Sequence, residues 1–133
     1  MTKTNIGRGI FALIALFFIG NGLMVILSPT NIIGHMLLGE VESVSGLSSI
    51  RALLGAAILA VWSTVLLGAI KANVNYILVG IINLSAVIFA RLVGYFVDGS
   101  FPEFTAMIVP PMVFLVLLLI AYKLMASSTD ELT

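Results

Sequence analysis

Polar residues are so sparse along this chain that the apolar runs between them define its architecture. Four runs, at about 10–27, 47–70, 74–97 and 103–125, each come close to the ~20 residues that a helix rising ~1.5 Å per residue needs to cross a bilayer. The runs are continuous, whereas the strands of a membrane barrel alternate polar and apolar positions over about ten residues, so helices are expected rather than a β-barrel. Every backbone group must then be satisfied within a helix. The expected fold is all-α, an integral membrane four-helix bundle forming one four-span domain over residues 1–133.

The segment "SPTNIIGHMLLGEVESVSG" breaks the pattern after the first run. Ser28-Pro29 is a helix stop, and Ile32, Ile33, Met36, Leu37, Val41 and Val44 then recur at helical intervals. This spacing predicts a short amphipathic helix on the membrane surface in the first loop, with His35, Glu40 and Ser43 on its polar side. Its simplest role is an ordered connector that caps the bundle; a binding lid is the alternative. The first run itself has features of a signal peptide, because Lys3 and Arg8 precede it and Gly20 and Gly22 have cleavage-site spacing. The run continues through Leu23 and Leu27 to span length, which favours a retained helix.

Composition strengthens the membrane reading. Of 133 residues, 61% are hydrophobic and 9% charged, and the mean hydropathy is +1.24. A soluble fold of this size cannot hide so much apolar surface, so lipid must cover it. Six basic and six acidic residues cancel, leaving no charge excess that points to nucleic acid. Their placement sets the orientation: Lys3, Arg8, Lys71 and Lys123 all fall at one side, and residues 28–46 and 98–102 contain no lysine or arginine. The positive-inside rule therefore predicts a multi-pass protein of the bacterial inner membrane with both termini cytoplasmic.

Inside the spans, the polar residues concentrate toward the predicted outer face. Arg51, Arg91 and Asn21 each fall within about 6–10 Å of it by helix rise, and Pro110-Pro111 frees the carbonyls of Ala106 and Met107 nearby. Intramembrane charges are costly and usually face a bundle interior or a cavity, so Arg91, Arg51, Asn21, Asp98 and Pro110 are the candidate ligand-binding residues. A helical side chain leans toward its own N-terminus, so Arg51 leans toward water and Arg91 toward the bilayer centre. Arg91 then needs a partner within the bundle, while Asp98 is better placed for Arg51 or simply ends its helix with Gly99. Ala52, Ala56 and Ala60, and likewise Ala86, Ala90 and Gly94, recur every fourth residue and predict close helix contacts; Asn83 is expected to hydrogen-bond between helices. Gly20-Asn21-Gly22 is expected to loosen the first span.

Several chemistries lack their residues. There is no cysteine, and His35 is the only histidine, so thiolate, bis-histidine and paired-histidine metal sites are excluded and no cofactor is expected. No phosphate-binding or dinucleotide fingerprint and no nucleophile elbow is present. A membrane enzyme would require His35, Glu40 and an arginine to share a cavity. The plan is similar to that of the small multidrug exporters, but no span interior holds the Asp or Glu that proton coupling needs. Small fluoride channels share four spans and a buried arginine, but their dual orientation fits poorly with the charge bias here.

"GLSSIRALLG" (46–55) and "RLVGYFVDG" (91–99) resemble a family of small bacterial four-span membrane proteins classed as a domain of unknown function. The likeness covers nearly the whole chain and implies that Arg51, Gly55, Arg91, Asp98 and Gly99 are its signature positions. The architecture is also broadly similar to DoxX-type proteins. Two expectations follow: a non-enzymatic protein whose arginines stabilise the bundle or dock a partner subunit or second copy, or a binder or transporter of an amphipathic anion or anionic lipid.

Overall fold

The structure, a computed structural model, describes residues 2–35 and 43–130, with side chains through Ser127. The described residues form five helices: α1 (Lys3–Leu27), α2 (Pro29–His35), α3 (Val44–Lys71), α4 (Val74–Asp98) and α5 (Phe104–Asp130). α1, α3, α4 and the part of α5 to Ser127 are long and apolar enough to cross a membrane. This is the all-α bundle the apolar runs predict, with longer helices than the runs themselves. α1 begins at Lys3 rather than near residue 10 because Thr2 caps it, its hydroxyl accepting from the Asn5 N–H at 3.4 Å.

Other helix ends follow the same local chemistry. Pro29 opens α2, where its missing N–H costs nothing. The Ser43 hydroxyl accepts from the Gly46 N–H at 3.0 Å and starts α3, and Asn73 accepts from the Asn75 N–H at 3.0 Å and starts α4. Ala72 ends α3 in the left-handed region, φ 53°. Of the expected surface helix, the structure describes α2, with Ile33 buried and His35 exposed. Met36, Leu37, Glu40 and Val41 lie outside the described residues. Val44 belongs to α3 and is exposed, not part of an apolar capping face.

α1 packs against α3 and α5, and α4 packs against the same two, giving a square with α1 opposite α4. Lys3, Lys71 and Lys123 therefore mark one end of the bundle and Asp98 the other. The core joins Phe11, Ile14, Trp62, Val65, Ile77, Leu84, Leu118 and Met125. Phe18 stacks on Trp62 with ring centroids 4.1 Å apart.

The close helix approaches are made by glycines outside the predicted small-residue stripes. A Cβ on Gly55 would lie 2.6 Å from Ile26 Cγ1, and one on Gly22 3.0 Å from Ile58 Cγ2. Gly68 backs onto Tyr76, and Gly80 onto Val65, Leu118 and Trp62. Ala52, Ala56, Ala60, Ala86 and Ala90 are exposed instead. The reason is rotational phase: Gly55 and Gly22, not the alanines, lie on the faces that α3 and α1 turn to each other. Gly20-Asn21-Gly22 does not interrupt α1 either, since Gly22 is buried against α3. Over Ile50–Gly55 the helix α3 widens into a π-helical segment, which holds both Arg51 and Gly55.

Candidate functional site

Helix direction determines what each of three arginines can reach. Arg8, on α1, leans toward the lysine-bearing end, where α3 finishes. Its Nε donates to the Ala69 carbonyl at 2.8 Å and its Nη2 to the Ile70 carbonyl at 3.0 Å. Arg51 runs the other way on α3 and leans toward the Asp98 end, where α1 finishes. Its Nε donates to the Ile26 carbonyl at 3.0 Å. The last carbonyls of a helix have no internal donors and form the negative end of its dipole, so both arginines meet the charge they complement. α1 and α3 thus form a reciprocal clasp, each lending an arginine to the other's C-terminus.

Arg91 has no such counterpart. On α4 its Cα–Cβ bond points back toward the bilayer middle, where no helix ends. It follows Leu84 by about two helical turns and Ile77 by about four, and both are buried, so it continues the stripe that α4 turns into the bundle. Arg91 is half-buried and makes no hydrogen bond or ion pair among the described residues.

The space near Arg91 differs from the rest of the bundle. Gly94 follows Tyr76 by about five turns and so shares its face of α4. Tyr76 packs on Gly68 of α3, whereas a Cβ on Gly94 would meet only the Asp98 carboxylate of its own helix, at 3.7 Å. The α3–α4 seam is therefore closed at the lysine-bearing end and parted at the Asp98 end. Beyond Leu84 on α4 and before Leu118 on α5, no described residue is buried.

The other predicted residues divide differently. The Asn21 Nδ2 donates to the Phe17 carbonyl at 2.9 Å within α1, so its amide is already engaged locally. Asp98 is exposed, lies against Gly94, and forms no ion pair with Arg51 or Arg91 among the described residues. Arg51 takes a carbonyl in place of that carboxylate because α1 ends beside it. Pro110 is exposed and Pro111 half-buried, and α5 continues helical through both. Asn83 is half-buried without the interhelical hydrogen bond expected of it.

Depth also separates the group. Val65, Gly80 and Leu118 meet in one layer, with Trp62 and its stacked Phe18 one turn farther out. Counting outward from this layer along each helix, Asn21 and Pro111 lie at about 9–10 Å, Arg91 at about 16 Å and Arg51 at about 21 Å. The polar residues are thus staggered along the Asp98 half of the bundle, with Arg51 near the rim.

Arg8 was legible in the sequence only as a topological charge. Equal depth with Lys71, across a two-helix hairpin, is the signal that could have identified it as a cap. It also borders a groove of about 370 Å³ with Asn5, Gly9, Ala12, Ala69 and Ile70. Comparison of the chain with protein-family models, curated proteins and solved structures returns no match.

Proposed function

We propose that this chain is a non-enzymatic protein of the bacterial inner membrane, with both termini cytoplasmic, that docks an anionic group through Arg91. The resemblance to small four-span bacterial proteins, broadly DoxX-like in plan, belongs to the same proposal. The observation that carries it is the contrast among the arginines. Arg8 and Arg51 are committed to helix carbonyls, while Arg91, half-buried on the bundle-facing stripe of α4, has no partner among the described residues. A guanidinium in that position carries a large desolvation cost, and an anion from outside the chain would offset it.

This division refines the idea that the arginines stabilise the bundle. Arg8 and Arg51 serve stability, and Arg91 serves docking. The test is to purify wild type and Arg91→Gln from membranes in mild detergent and compare the lipids, small anions and proteins retained. Loss of one defined component from the Arg91→Gln sample supports docking. Identical retained components in the two samples would refute it.

A further inference from the structure

We propose that the parted α3–α4 seam holds one anionic phospholipid, with Arg91 on its phosphate and an acyl chain lying along Ala90 and Ala86. This rests on the docking reading above and names the ligand of the same site.

Three observations converge on a lipid. The first is depth. α4 has 25 residues, about 37 Å of helix against a hydrocarbon core of about 30 Å, so a centred α4 projects about 4 Å beyond each side. The Arg91 Cα then lies about 7 Å below the boundary at the Asp98 end, and its long side chain can turn back along the helix to meet a lipid phosphate drawn down by local thinning. The second is shape. Gly94, Ala90 and Ala86 recur every fourth residue, Ala90 and Ala86 are exposed, and a Cβ on Gly94 would meet only Asp98, so small residues line the helix surface from beside Arg91 toward the bilayer middle. An acyl chain follows that direction from a headgroup held at Arg91.

The third is charge. The guanidinium can present paired N–H donors to phosphate oxygens, and no acidic residue lies in a span interior to compete for it; Asp98, the last residue of α4, makes no ion pair among the described residues. That same lack means a second copy of this chain brings no carboxylate to this depth; its nearest acids are Asp98 and Glu103 at the rim. A partner protein would have to bury a costly carboxylate of its own. Phospholipid supplies its phosphate at the boundary without that cost.

The experiment is native mass spectrometry of the full chain in detergent, titrated separately with phosphatidylglycerol, phosphatidylcholine and inorganic phosphate. Wild type is expected to retain one phosphatidylglycerol, hold phosphatidylcholine less well, and show no displacement by inorganic phosphate. Arg91→Gln should weaken phosphatidylglycerol retention about tenfold or more, and Arg91→Lys less, because a point charge replaces the planar fork. Gly94→Leu keeps every charge but covers the small-residue surface beside Arg91, where the backbone has room, and should weaken retention as well.

Equal phosphatidylglycerol retention by wild type and Arg91→Gln overturns the lipid assignment, as does displacement by inorganic phosphate alone. If Arg91→Gln instead loses a co-purifying protein while keeping its lipid, the ligand is a partner and the docking reading stands. If Arg91→Gln unfolds in lipid-free detergent, Arg91 is a bundle residue and both readings fail.

Discussion

Replacing Arg8 with methionine keeps an apolar stem in the groove and removes both donors to the end of α3. Two bonds are lost, at 2.8 and 3.0 Å, and the Ala69 and Ile70 carbonyls lose their side-chain partner. Interhelical hydrogen bonds measured in membranes average about 0.6 kcal/mol and reach about 1.7, and bonds to a charged donor run about 1.5–3 kcal/mol in soluble proteins. Arg8 sits near the interface, where water can reach those carbonyls once it is gone. A loss of about 2 kcal/mol for Arg8→Met is therefore expected. Arg51→Met removes one bond from an exposed side chain and should cost about 0.5–1 kcal/mol. The two contacts are about 27 Å apart along α1, so the double variant should be additive within about 0.5 kcal/mol. Reversible unfolding in mixed micelles can be followed through Trp62, the one tryptophan of the chain, which is buried against Phe18. An Arg8→Met variant as stable as wild type, or less perturbed than Arg51→Met, would refute the clasp.

Other substitutions probe the seams and the orientation. Gly68→Ala would place a Cβ 2.7 Å from Tyr76 Cβ and 3.1 Å from the Asn73 carbonyl, costing about 1–3 kcal/mol in the same unfolding assay. Gly20→Ala has nothing within 4 Å and should stabilise by about 0.5–1 kcal/mol through helix propensity. Ala72→Gly relieves a left-handed backbone at φ 53° and should raise stability by about 0.5–1 kcal/mol. Since the chain has no cysteine, Ser100→Cys and Ser127→Cys allow labelling in intact cells. An impermeant maleimide should reach the first and spare the second, and the reverse pattern would invert the proposed topology.

The spans were legible because lipid-facing helices are apolar nearly all round, so continuous runs mark them without any need for a face to be resolved. For the same reason the packing faces were obscure. When both faces are apolar, periodicity cannot tell a seam from a lipid surface, and the exposed Ala52–Ala56–Ala60 stripe looks as much like an interface as the buried Gly22 and Gly55. The π-helical segment at Ile50–Gly55 compounds this, because it shifts the phase of α3 where Arg51 enters.

The site residues were half legible. Chain direction sent Arg51 outward, as its contact with Ile26 at the end of α1 agrees, but a sequence does not show that Arg51 meets a helix end before it meets water. It also left Arg8 among the topological charges, although its lean toward the end of α3 follows from the same rule. Asp98 looked like a partner because opposite charges attract, yet Ile26 offers Arg51 a nearer acceptor.

Arg91, unlike Arg8, is proposed to add nothing to the bundle's own stability and to be held for an external anion. The most direct test is the thermal unfolding of delipidated wild type, Arg91→Gln and Arg8→Met in the same detergent. With its anion stripped away, Arg91 leaves only its desolvation cost, so Arg91→Gln is expected to melt at or above wild type while Arg8→Met melts clearly lower. An Arg91→Gln midpoint depressed as far as that of Arg8→Met would contradict it.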